Sequence, residues 1–138
     1  MFQSWRGGVL KSVGMLGIMA VVLFGMSGLG TDSRTGRYKK KNGLIDMQSL
    51  PAQQLRFRLN TVVGMHPCNI GEDGDAQAVI VAPNRAVFND GEECEMEFLF
   101  ENDRLKVTAT NGCDGYCGMN AVGSIDGTYI KKSDKPAW

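Results

Sequence analysis

Four cysteines, Cys68, Cys94, Cys113 and Cys117, pose the first chemical question of this chain. Four thiolates could hold zinc, but structural zinc sites draw on two Cys-x₂₋₄-Cys knuckles, and only Cys113 and Cys117 form such a pair. A redox dithiol favours two intervening residues, whereas Cys113-Asp114-Gly115-Tyr116-Cys117 has three. Disulfides are therefore the expected use of all four, and no metal or cofactor is expected. Three pairings are open; the freedom that Gly115 gives a tight loop favours Cys113 with Cys117, which leaves Cys68 with Cys94.

The remaining reactive side chains assemble no catalytic set. His66, the single histidine, lies in Met65-His66-Pro67-Cys68, with no nucleophile or orienting carboxylate identifiable beside it, and reads as a loop histidine. Glu72-Asp73-Gly74-Asp75 has the look of a calcium loop. Counted from Asp73, however, the twelfth position is Asn84 instead of glutamate, and a solvated turn accounts for the cluster. Glu93, Glu95 and Glu97 alternate with the apolar Met96, Phe98 and Phe100, so they form one face of a strand. That face either keeps the strand soluble or attracts a cationic partner.

Compartment follows from the first thirty residues. Arg6 and Lys11 precede an apolar run from Met15 to Met26, and Ser27-Gly28-Leu29-Gly30 supplies small residues, the layout of a secretory signal cut after Gly30. Residues 1–30 are thus expected to be a signal helix and residues 31–138 a single β domain, periplasmic or secreted, where disulfides are the default. The alternative is an inner-membrane anchor through residues 12–30, although the stretch falls short of the about 20 apolar residues a spanning helix needs. Membrane attachment is expected only with that segment retained. Beyond it the chain carries 13 basic and 15 acidic residues, with no basic stripe for phosphates, so nucleic acid is not an expected partner. Lys39-Lys40-Lys41 leads into Asn42-Gly43 and reads as a solvated strand end.

The elements that must position these groups read as strands. Alternation marks Leu55 to Leu59, Met96 to Phe100 and Leu105 to Ala109, while Ala78-Val79-Ile80-Val81-Ala82 is a continuous apolar run expected to be buried on both faces. Frequent turn residues between short strands predict an all-β fold, a small antiparallel barrel or sandwich stapled by two disulfides. With Asn102-Asp103 as a two-residue loop, Glu101 faces Arg104, Phe100 faces Leu105, Phe98 faces Val107 and Met96 faces Ala109. Gly36-Arg37-Tyr38 and Gly127-Thr128-Tyr129 echo each other. That predicts first and last strands that pair to close a barrel, with Tyr38 and Tyr129 inward and their hydroxyls on polar partners.

The segment Cys113-Asp114-Gly115-Tyr116-Cys117-Gly118-Met119-Asn120-Ala121, followed by Gly127-Thr128-Tyr129, resembles the close of small exported bacterial proteins, mostly uncharacterised, that end in Cys-Gly-x-x-Ala and then Gly-x-Tyr. These are loosely similar to the periplasmic β-barrels that include inhibitors of host lysozyme. In the membrane-bound c-type lysozyme inhibitor family a Ser-Gly-x-x-Tyr-like loop enters the lysozyme cleft, and Ser124-Ile125-Asp126-Gly127-Thr128-Tyr129 is a loose echo of it. The resemblance implies a non-enzymatic exported protein that binds a protein or envelope component, lysozyme inhibition being its most concrete form. The expected contact residues are Tyr116, Asp114, Ser124, Tyr129, Glu93, Glu95 and Glu97. A barrel holding a small apolar ligand is the alternative, disfavoured because Tyr38, Phe57, Phe88, Phe98, Phe100 and Tyr129 should fill the interior.

Overall fold

The computed structural model describes residues 32–138; the signal segment expected at residues 1–30 lies outside them. The described chain forms nine strands, β1 (Gly36–Lys40), β2 (Gly43–Leu50), β3 (Gln54–Val63), β4 (His66–Ile70), β5 (Ala76–Ala82), β6 (Arg85–Asn89), β7 (Glu95–Glu101), β8 (Arg104–Ala109) and β9 (Gly127–Ser133). Eight of them close an antiparallel barrel in the order β1, β2, β3, β5, β6, β7, β8, β9 and back to β1. The ninth, β4, branches off. The first half of β3 pairs with β5, from Gln54 opposite Val79 to Phe57 opposite Ala76, and its second half pairs with β4, from Leu59 opposite Ile70 to Val63 opposite His66.

Closure depends on the first and last strands. Tyr38 lies opposite Lys131 and Lys39 opposite Ile130, the antiparallel pairing predicted from the two Gly-x-Tyr segments. Both rings are buried. The Tyr38 hydroxyl donates to the Arg34 carbonyl at 2.9 Å and that of Tyr129 to the Ile125 carbonyl at 2.7 Å, so neither buried phenol is left unpaired. Burial, with the charge of Asp32 and Asp134 nearby, pushes the Tyr38 phenol up to about 12, and burial also raises that of Tyr129.

The β7–β8 hairpin has the predicted register throughout, from Glu101 opposite Arg104 to Met96 opposite Ala109. Asn102 takes φ 54°, a left-handed conformation that asparagine tolerates, which makes so tight a turn possible. Inside, Phe57 meets Phe88 and Phe98 edge to face, each at a centroid distance of 5.1 Å, the arrangement favoured by ring quadrupoles. The strand at 78–82 differs from expectation. Ala78 is buried, but Val79 and Val81 point outward and are each 51% exposed, because one layer of wall has a solvent side and the barrel has no second sheet to cover it.

The cysteine pairing also differs from expectation. Cys68 is bonded to Cys117 and Cys94 to Cys113; the predicted Cys113–Cys117 and Cys68–Cys94 bridges do not form. The reason is register. Cys94 and Cys113 lie just beyond the paired ends of the β7–β8 hairpin, Met96 and Ala109, and are carried to within 4.3 Å between their Cα atoms. Cys117 then sits across from Cys68 on the outer edge of β4. Two bridges in the described residues, with no free cysteine among them, point to an oxidising, extracellular or periplasmic setting.

On the outer wall, Asp46 of β2 is wholly buried, between the core residues Ile45 and Met47. Arg37 donates to it at 2.8 and 3.0 Å, Arg58 at 2.9 Å and the Ala137 N–H at 3.1 Å. Trp138 completes the cover, with its ring 4.7 Å from the Arg56 guanidinium and its indole N–H on Gln48 at 3.2 Å. Burial raises the Asp46 carboxyl, but the Arg37 and Arg58 hydrogen bonds and the Ala137 N–H outweigh it and hold the carboxyl below its ordinary value. A group depressed in the folded state contributes its stability above the ordinary carboxylate range and loses it as pH falls through the folded value. Asp46→Asn is therefore expected to cost about 1–3 kcal/mol at neutral pH, with the deficit shrinking below about pH 4. Urea midpoints of both proteins from pH 7 to pH 2 check this, and a deficit independent of pH would refute it.

Candidate functional site

Between β8 and β9 the chain makes two 3₁₀ turns, Asn111–Tyr116 and Met119–Ala121, which cap one end of the barrel. This cap is fastened from two sides. Cys94–Cys113 ties it to the β6–β7 loop and Cys68–Cys117 to β4, while the Gly118 N–H donates to the Pro67 carbonyl at 2.9 Å. Within the cap, Ala121 and Ile125 are buried, and Thr61 and Ser124 share a hydroxyl hydrogen bond at 2.5 Å. Lys40 closes the seam. Its ammonium donates to the carbonyls of Ser124 and Asp126.

Where the cap meets the β6–β7 loop, the backbones touch. A Cβ on Gly112 would fall 2.0 Å from the Glu93 carbonyl oxygen, so only glycine permits this approach. Thr110 stitches the same seam, accepting from the Glu95 N–H at 3.0 Å and donating to the Glu93 carbonyl at 3.1 Å. The loop turns on Asp90. One carboxylate oxygen accepts from the N–H groups of Glu92 and Cys94, and the other accepts from the Tyr116 hydroxyl at 2.9 Å. The Glu92 N–H, and after it the Tyr116 hydroxyl, hold the Asp90 carboxyl low, and the same bond to Asp90 raises the Tyr116 phenol.

Tyr116 is consequently an aromatic side chain fixed at both ends yet 39% exposed. It stands between two hollows. One, of about 610 Å³, is bordered by Asp90, Glu92, Glu93, Gly112 and Gly115; the other, of about 250 Å³, lies where β4 and β5 diverge from β3 and is bordered by Ile70, Asp75 and Phe88. Glu92, Glu93 and Asp75 are exposed and form no ion pair among the described residues. An exposed ring face beside unneutralised carboxylates suits an ammonium or guanidinium group, which gains a cation–π contact and a charge-assisted hydrogen bond at one point.

The predicted contact residues separate into three groups. Tyr116 and Glu93 come together at this cleft, with Asp90, Glu92 and Asp75, which the sequence reading did not single out as contacts. Glu95 and Glu97 stay on the outer wall, where Arg85 donates to Glu97 at 2.7 Å and neutralises it. Asp114 faces a separate small hollow with Val122 and Asp126. Ser124 and Tyr129 are buried in the cap and barrel, their hydroxyls engaged, and have no surface to offer a partner. His66 lies against Gly118 of the cap and is not among the residues that border the Tyr116 hollows. In the Glu72 to Asp75 turn, as elsewhere among the described residues, no group of three His, Cys, Asp or Glu is placed to hold a metal.

Fold and site together define a class: a small closed barrel whose capped end carries a braced aromatic in an acidic cleft. No family model, curated protein or solved structure matches the chain.

Proposed function

We propose that this protein is a non-enzymatic, exported binding protein of the bacterial envelope, and that it receives a cationic protein at the Tyr116 cleft, lysozyme being the concrete candidate. The observation that supports this most is the Tyr116–Asp90 hydrogen bond. It fixes an exposed ring among free carboxylates, on a cap clamped by two disulfides, so little side-chain entropy is lost when a partner docks. The acidic surroundings would also speed encounter with a basic protein. Residues 1–30 would supply the export signal. The alternative, a small apolar ligand inside the barrel, is opposed by the buried Tyr38, Phe57, Phe98 and Tyr129, which occupy the interior.

Added to c-type, g-type and i-type lysozymes in excess, the protein is expected to suppress turnover of at least one. Tyr116→Ala and the charge reversal Glu92→Lys with Glu93→Lys should weaken that inhibition by about tenfold or more each. Unchanged turnover of all three enzymes would remove lysozyme as the partner. Inhibition that survives both variants would place the contact elsewhere on the surface.

A further inference from the structure

The capped end has a second surface, carried by different residues from the acidic cleft. Met65, at the tip between β3 and β4, is 94% exposed, and Met119 on the cap is 86% exposed. They are neighbours. Cys68 bridges Cys117 in antiparallel fashion and Gly118 packs against His66, so the residues that follow and precede these contacts lie side by side. Val62, 42% exposed, adjoins them, and its N–H donates to the Asn42 carbonyl at 2.9 Å, which brings the β1–β2 turn alongside. Lys39 in β1 and Lys41 of that turn are exposed, share a shallow hollow with Val62, and form no ion pair among the described residues.

Two fully solvated methionines on abutting segments are an uncompensated apolar surface, of a kind that marks a contact site. Their shape and setting select the partner. A convex tip with unbranched, pliable side chains can enter the boundary between headgroups and acyl chains without a preformed groove, and lysines beside it attract anionic headgroups. We propose that Val62, Met65 and Met119, flanked by Lys39 and Lys41, form a contact surface for an anionic phospholipid bilayer. The described chain enters β1 at Gly36, at the opposite end of that strand from the β1–β2 turn. Glu92 and Glu93 belong to the β6–β7 loop, a different segment from the β1–β2 and β3–β4 turns that carry this surface.

The test uses the full chain recovered from the envelope, labelled with ¹³C at its methionine methyls, and lipid nanodiscs carrying a spin-labelled headgroup. On discs containing phosphatidylglycerol, the Met65 and Met119 signals are expected to fall about threefold or more relative to those of the buried Met47 and Met96. Lys39→Glu with Lys41→Glu, both exposed and without structural contacts to lose, should abolish that difference. Signals of Met65 and Met119 as intact as those of Met47 and Met96 would overturn the proposal, as would equal attenuation on discs of phosphatidylcholine alone. The lysozyme assay is unaffected by either outcome, since it reads the Tyr116 cleft.

Discussion

Replacing Cys68 and Cys117 together by alanine is expected to lower stability by about 4 kcal/mol, and replacing Cys94 and Cys113 by about 3 kcal/mol. The bridges close loops of 49 and 19 residues, and the entropy they remove from the unfolded chain grows with the logarithm of loop length. The two losses should also differ in place. Without Cys68–Cys117 the edge of β4 is held by little more than the Gly118 to Pro67 hydrogen bond, so amides of β4 should exchange faster than those of β7 and β8. Urea unfolding of both double variants and hydrogen exchange of the first provide the measurements. Peptide mapping without reduction should recover 68 linked to 117 and 94 linked to 113, and a 113–117 peptide would contradict the structure.

Phe98→Ala is expected to cost about 3–5 kcal/mol, while its neighbour Glu97→Ala costs less than about 1 kcal/mol. Phe98 is fully buried against Phe57, so its loss leaves a void that the closed wall cannot collapse to fill. Glu97 gives up only an exposed ion pair with Arg85, its charge screened by water. Chemical denaturation of the two variants separates them. Similar losses at both positions would mean that β7 presents the other face to the core, since a one-residue slip exchanges the two sets.

How far the sequence could be read depended on whether neighbours in the chain are neighbours in space. The β7–β8 hairpin was legible to the residue because its turn and its alternation are local and agree. Pairing of β1 with β9 was legible only through the chance that two Gly-x-Tyr segments resemble each other. Val79 and Val81 misled because hydrophobicity records what a side chain tolerates, and one wall of a barrel leaves half of its valines in water. The disulfides were missed although the information was present: extending the hairpin register past Met96 and Ala109 brings Cys94 towards Cys113. A preference for the shortest ring overrode it. Asp90 is brought to Tyr116, 26 residues away, only by the fold.

The order of strands also constrains when the molecule can form. Tyr38 has no partner on its β9 side until Lys131 is available, and β8 likewise waits for Gly127 to Ile130. Assembly that proceeds from the amino terminus therefore stalls as an open, curling sheet, and the ring is completed only when nearly the whole chain is present. Such non-local closure makes for slow folding at a given stability. In the export proposed above, the delay would keep the chain unclosed for as long as its last strand has yet to cross.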